Sequence, residues 1–114
     1  MTEACVILTT TESEDEARRI ARALVEARLA ACVQRLTIGS VYEWSGAVED
    51  TPEILLLIKT SVDRYPEVES WILENHSYQV PEVLMIRAAG GSSAYLDWVA
   101  RATGGPTIET GPGR

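Results

Sequence analysis

The spacing of apolar residues in this chain changes from strand-like to helix-like and back, twice, before Arg87. That order restricts the fold more than any single motif. "ACVILTT" is a β-branched run that predicts a strand over about Ala4 to Thr9. "TESEDEARRIARALVEARLAA" then repeats apolar residues at three and four: Ala17, Ile20, Ala21, Leu24, Ala27 and Ala31. Ser13 with Glu16 has the spacing of a capping box. The acids Glu12 to Glu16 suit the positive end of the helix dipole and are read as dipole compensation, not as a metal site. The helix is expected to end near Ala31.

"CVQRLTIGSVYEW" returns to alternation. Leu36, Ile38, Tyr42 and Trp44 fall on one face, and Val33, Arg35, Thr37, Val41 and Glu43 on the other. Gly39 interrupts the run and predicts a bulge or a close backbone approach. "SGAVEDTP" reads as the turn of a hairpin, and "EILLLIKTS" as its second strand, with Ile54 to Ile58 buried on both faces. "VDRYPEVESWILENH" is a second helix, with Pro66 in its first turn and Tyr65, Val68, Trp71 and Ile72 as its buried stripe. "EVLMIRA" is a fourth strand. "SSAYLDWVARA" is a third helix, capped by Ser92 or Ser93, with Trp98 on its apolar face.

The predicted order is β-α-β-β-α-β followed by a helix. It defines an α+β, ferredoxin-like fold: an antiparallel sheet with helices on one face and an additional C-terminal helix. One domain is expected over residues 1–103, followed by a flexible Gly- and Pro-rich tail over 104–114. The first two helices leave one sheet face uncovered although its strands are apolar. A second subunit is the natural cover.

Charge narrows the partners. Seventeen acids against ten bases give a net charge of −7. Duplex binding needs clustered Lys and Arg, so no nucleic-acid partner is expected, and no membrane partner either. Cys5 and Cys32 form no CxxC pair, which fits a reducing, cytoplasmic location. No P-loop, GxGxxG or Ser-His-Asp order is present, and no enzyme activity is expected.

The stretches "EARLAACVQ", "SVYEWSG", "EILLLIKTS", "NHSYQVPEV" and "YLDWV" resemble, in this order, the CutA family of divalent-cation tolerance proteins. The resemblance implies a ferredoxin-like homotrimer connected with tolerance of copper and other divalent metals. It also implies a likeness to PII signalling trimers, which bind small ligands between subunits. Family members proposed to ligate copper carry a cysteine where this chain has Thr9 and a histidine where it has Asn75. Of that set His76 remains.

His76 is the only histidine, at the end of the second helix. One reading is a helix end, where an imidazolium meets the last carbonyls. The other is a cation or small-ligand pocket shared between subunits, built from His76, Tyr78 and Glu82 on a connection stiffened by Pro81, with Lys59 as a further ligand-binding candidate. His76 and Glu82 are the candidate metal ligands. One imidazole cannot close a tight site for copper or zinc, so any such cation is expected to bind weakly. Lys59 reads equally as a solvated strand end or as a partner for an anionic ligand. Tyr42 and Trp44 are expected at a subunit interface.

Overall fold

The computed structural model describes residues 3–104. β1 (Ala4–Thr11) is followed by α1 (Glu14–Glu26), β2 (Cys32–Trp44) and β3 (Ala47–Ser61). A 3-10 turn at Val62–Arg64 leads into α2 (Tyr65–Asn75), β4 (Leu84–Arg87) and α3 (Ser93–Thr103). The sheet order is β2-β3-β1-β4, antiparallel throughout. The described residues thus form the expected ferredoxin-like sheet with an added helix. Of the expected tail, residues 105–114 lie outside the described residues.

The register places Cys5, Ile7, Thr9 and Thr11 of β1 opposite Thr60, Ile58, Leu56 and Ile54 of β3. All eight are buried, and α1 and α2 cover them with Ala17, Ile20, Leu24, Val68 and Ile72. The alternate residues Val6, Leu8, Leu55 and Leu57 are only half-buried. They share the other face with Leu36, Leu84 and Ile86, which are 46%, 56% and 52% exposed. The run Ile54 to Ile58 is therefore buried on one face and half-open on the other, instead of buried on both.

Three local expectations differ from the structure. α1 ends at Glu26, short of Ala31. Arg28 takes φ 62, a left-handed conformation that a non-glycine residue rarely adopts, and the amides of Leu29 and Ala30 both close onto the Leu24 carbonyl. With no glycine to signal the stop, the apolar stripe reads straight through it. The hairpin turn is only Ser45–Gly46, with φ 52 and 83, the backbone of a two-residue type I′ turn. Residues 47–52, assigned to the turn by composition, are strand. No bulge forms at Gly39. The ladder runs unbroken from Cys32↔Lys59 to Trp44↔Ala47, and Gly39 simply faces Pro52. Pro52 is tolerated because β1 ends opposite Ile54, so β3 has a free edge there.

Beyond that point the β2–β3 hairpin projects past the sheet. The Cα radius of gyration is 15.0 Å, against about 13 Å for a compact chain of this length, and the extents are 49 × 27 × 24 Å. No helix among the described residues is long and apolar enough to cross a membrane.

Two arginines anchor α3. Arg64 Nε donates to the Thr103 carbonyl at 2.6 Å, and Arg28 Nη2 donates to the Arg101 carbonyl at 3.0 Å. These cations sit at the negative end of the helix dipole and bond carbonyls of its last turn.

Candidate functional site

A cleft of about 700 Å³ opens where the hairpin leaves the sheet. One wall is the hairpin, with Ser40, Val41, Tyr42 and Trp44. The opposite wall is the connection after α2, with Ser77, Tyr78, Gln79, Val80 and Glu82. Thr10, Glu12 and Glu53 complete the lining.

The connection is held by His76. It is the C-cap residue of α2, in an extended conformation, and its side chain is fully buried. The Tyr78 amide can only donate, so Nδ1 accepts from it at 3.0 Å, and Nε2–H donates to the Thr10 carbonyl at 2.7 Å. The ring therefore bonds a strand carbonyl and not the last carbonyls of its own helix. The Asn75 carbonyl accepts instead from Arg19, at 3.0 Å. Glu16 fixes the next residue: its carboxylate accepts from both the amide and the hydroxyl of Ser77, at 2.8 Å each. The expected capping box is thus half made. Ser13 Oγ accepts from the Glu16 amide, while the Glu16 side chain reaches across to the end of α2.

Tyr78 lies against the His76 ring, with centroids 4.8 Å apart, and donates to Oε2 of Glu53 at 2.7 Å. Burial raises the Tyr78 phenol above its ordinary range. The Glu53 hydrogen bond and the nearby negative charges of Glu53 and Glu12 act in the same direction.

Of the residues singled out in the sequence, Tyr42, Trp44, Tyr78 and Glu82 meet in this cleft. His76 stands behind Tyr78 and does not line it. Lys59 is not brought there. It pairs with Val6 and Cys32, four residues along β1 from Thr10 and thus about 13 Å from the cleft. Glu12, Glu53 and Thr10 were not recognised as site residues. Glu12 precedes the helix cap, so it faces the cleft while Glu14, Asp15 and Glu16 occupy the first turn. Glu53 could have been found from the hairpin register, which sets it beside Ile38 on the face that carries Tyr42 and Trp44.

The donors do not fit copper or zinc. Both His76 nitrogens already make hydrogen bonds. Thr9 is fully buried under the helices, its hydroxyl without a partner, on the face away from Thr10. The Asn75 amide bonds the Trp71 carbonyl. No three His, Cys, Asp or Glu residues converge among the described residues. What the cleft does offer is carboxyl groups from Glu12, Glu53 and Glu82, with no Lys, Arg or His in its lining among the described residues.

A four-stranded antiparallel sheet in this order, with helices on one face and a cleft at the root of a long hairpin, defines a ferredoxin-like α+β protein with one bare sheet face. The chain belongs to the CutA1 divalent ion tolerance protein family, whose model matches residues 5–102. It is 44% identical over 100 residues to the divalent-cation tolerance protein CutA of Thermus thermophilus, covering 87% of this chain and 97% of that protein. It is 41% identical over 95 residues to protein CutA of Homo sapiens, covering 82% of this chain but only 53% of the human protein, so it spans about half that relative's length. Among solved structures, the T. thermophilus Cut A1 protein superposes with a TM-score of 0.85 at 43% identity, covering 89% of this chain and 99% of that one. The periplasmic divalent cation tolerance protein CutA of Archaeoglobus fulgidus superposes with a TM-score of 0.86 at 34% identity, covering 88% and 98%.

Proposed function

We propose that the protein acts in the cellular response to divalent metal ions, copper among them, as a homotrimer whose hairpin clefts attract cations weakly. The observation that carries this reading is the cleft lining, which holds Glu12, Glu53 and Glu82 and, among the described residues, no basic side chain. Carboxyl oxygens without soft ligands suit a hydrated cation held by charge, not a closed copper site. No chemical step is assigned to the site; the lining hydroxyls of Ser77 and Tyr78 are each held by a carboxylate, of Glu16 and of Glu53, in bonds that fix the connection after α2.

The bare sheet face supports assembly. Leu36, Leu84 and Ile86 stand about half exposed beside Leu55 and Leu57. A patch of that kind marks an interaction surface. The projecting hairpin suits a reach across to a neighbour, and the trimer is the arrangement implied by the family resemblance. Both cysteines are free, which suits a reducing compartment, and we place the protein in the cytoplasm. The PII-like alternative, an anionic ligand between subunits, gains no support from the relatives. Among the described residues the cleft offers such a ligand no cationic side chain.

Calorimetric titration with copper, zinc, magnesium and ATP under reducing conditions tests the reading. Saturable divalent-ion binding with dissociation constants of about a millimolar, and none for ATP, is expected. ATP binding at this cleft with no ion binding would reverse the assignment.

A further inference from the structure

We infer that the cleft binds an alkyl polyammonium ion, of the diamine or polyamine class, in preference to a bare divalent metal ion. This rests on the reading of the cleft as a cation site and names the kind of cation that fits it. Three independent features of the lining agree.

First, Glu53 is only 7% exposed, and among the described residues its carboxyl group accepts one hydrogen bond, from the Tyr78 hydroxyl at 2.7 Å. It takes part in none of the ion pairs among the described residues. A carboxyl group buried to that depth without a counter-charge is costly, and a cation in the cleft relieves the cost.

Second, Glu12, Glu53 and Glu82 line the same cleft but do not converge as a metal-binding group. A bare ion needs several oxygens converging at about 2.0–2.6 Å. Carboxyl groups spread around a cleft instead match charges spread along a chain.

Third, Tyr42, Trp44 and Tyr78 line the cleft together with Val80. Aromatic faces attract ammonium groups, Trp most strongly, and apolar walls accept the methylenes between charges. A hydrated metal ion gains nothing from these walls. The volume of about 700 Å³ suits a small organic molecule.

Calorimetry on the full chain with spermidine, putrescine and magnesium tests the proposal. Spermidine is expected to bind saturably, at least about ten-fold more tightly than magnesium. Loss of one charged hydrogen bond in Glu53→Gln, or separately in Glu82→Gln, should weaken it by about ten-fold. Glu82 is exposed, so its variant keeps the test valid should Glu53→Gln fail to fold. Glu26→Gln is the control. It removes the same charge from an exposed pair with Arg22 on α1, away from the cleft, and should leave affinity unchanged. Equal weakening by Glu26→Gln would reduce the effect to diffuse attraction and overturn the proposal. Magnesium binding without amine binding would overturn it while leaving the cation-site reading standing. Binding of neither would overturn both.

Discussion

The Tyr78 hydroxyl donates to Oε2 of Glu53 at 2.7 Å, tying the connection after α2 to the middle of the hairpin. This bond crosses the floor of the cleft. It joins a loop fixed by His76 and Glu16 to a strand fixed by its ladder with β2. The cleft's shape therefore depends on elements far apart in the chain, which is why no single motif announces it.

The bond should be visible in the alkaline limb of stability. The folded phenol is held above its unfolded value of about 10, first by burial and then by Glu53. Its contribution is complete below about pH 10 and is lost as pH rises through the folded value. Tyr78→Phe should cost about 1–2 kcal/mol near neutral pH, where the bond is intact. Above pH 10 the wild type should lose stability toward the variant, so the gap narrows. Tyr65, also raised through its bond to Glu69, is common to both proteins and cancels. Urea unfolding of the pair from pH 7 to 11 measures the gap. A gap constant with pH would mean that the folded phenol is not held above its ordinary value by burial and Glu53 together.

His76 is a structural linchpin in this geometry. His76→Ala leaves the Thr10 carbonyl and the Tyr78 amide without their side-chain partner and opens a void in a fully buried place. Each orphaned group costs roughly 1–3 kcal/mol, so a loss of about 2–5 kcal/mol is expected. An exposed helix-end histidine would cost only about 0.3–1 kcal/mol. Thermal or urea unfolding distinguishes the two values. Nitrogen-15 shifts of the wild-type ring should show the proton on Nε2, and a proton on Nδ1 would contradict the Tyr78 amide bond.

The third helix should fray when its anchor is cut. Arg64→Ala removes the donor to the Thr103 carbonyl and the cation at the helix end. The accompanying pair with Glu67 is largely exposed on the Glu side and adds little. Amide exchange over residues 99–104 should accelerate by about ten-fold or more, equivalent to about 1.4 kcal/mol, while α1 amides keep their protection. Uniform acceleration across the chain would instead signal global destabilisation.

How much of this was legible beforehand differs by feature. The element order and the bare sheet face follow from periodicity, because a switch between spacings of two and three-to-four is written in consecutive residues. The stop after Glu26 was hidden because Arg28 adopts a left-handed backbone without a glycine to mark it. The strand over residues 47–52 was hidden because Glu49, Asp50 and Pro52 have turn-like composition, yet the free edge and the Ser45–Gly46 turn permit a ladder. At the cleft, Tyr78 and Glu82 stood out in the sequence because they lie near the lone histidine, and both are in its lining. Glu53 was missed because its role depends on a partner 25 positions away. Lys59 was misplaced toward Glu82 because adjacency across strands is invisible without the register.

Assembly is the last expectation, and it turns on residues whose exposure in one chain has no local reason. Ile86 and Leu84 of β4 sit opposite Val6 and Leu8 and point to the bare face. A charge placed there is harmless to an isolated chain, since both positions are about half exposed. Buried between subunits, an unpaired ammonium costs several kcal/mol. Ile86→Lys should therefore leave the circular dichroism of the fold unchanged while driving the particle from three chains toward one at micromolar concentration. Trp44→Ala, at the hairpin tip, should weaken the same assembly if the tip meets a neighbour, by about 3–5 kcal/mol when well buried there. Light scattering on the wild type and both variants gives the answer. A wild type with the mass of a single chain would remove the trimer, and an Ile86→Lys trimer would move the interface off this face.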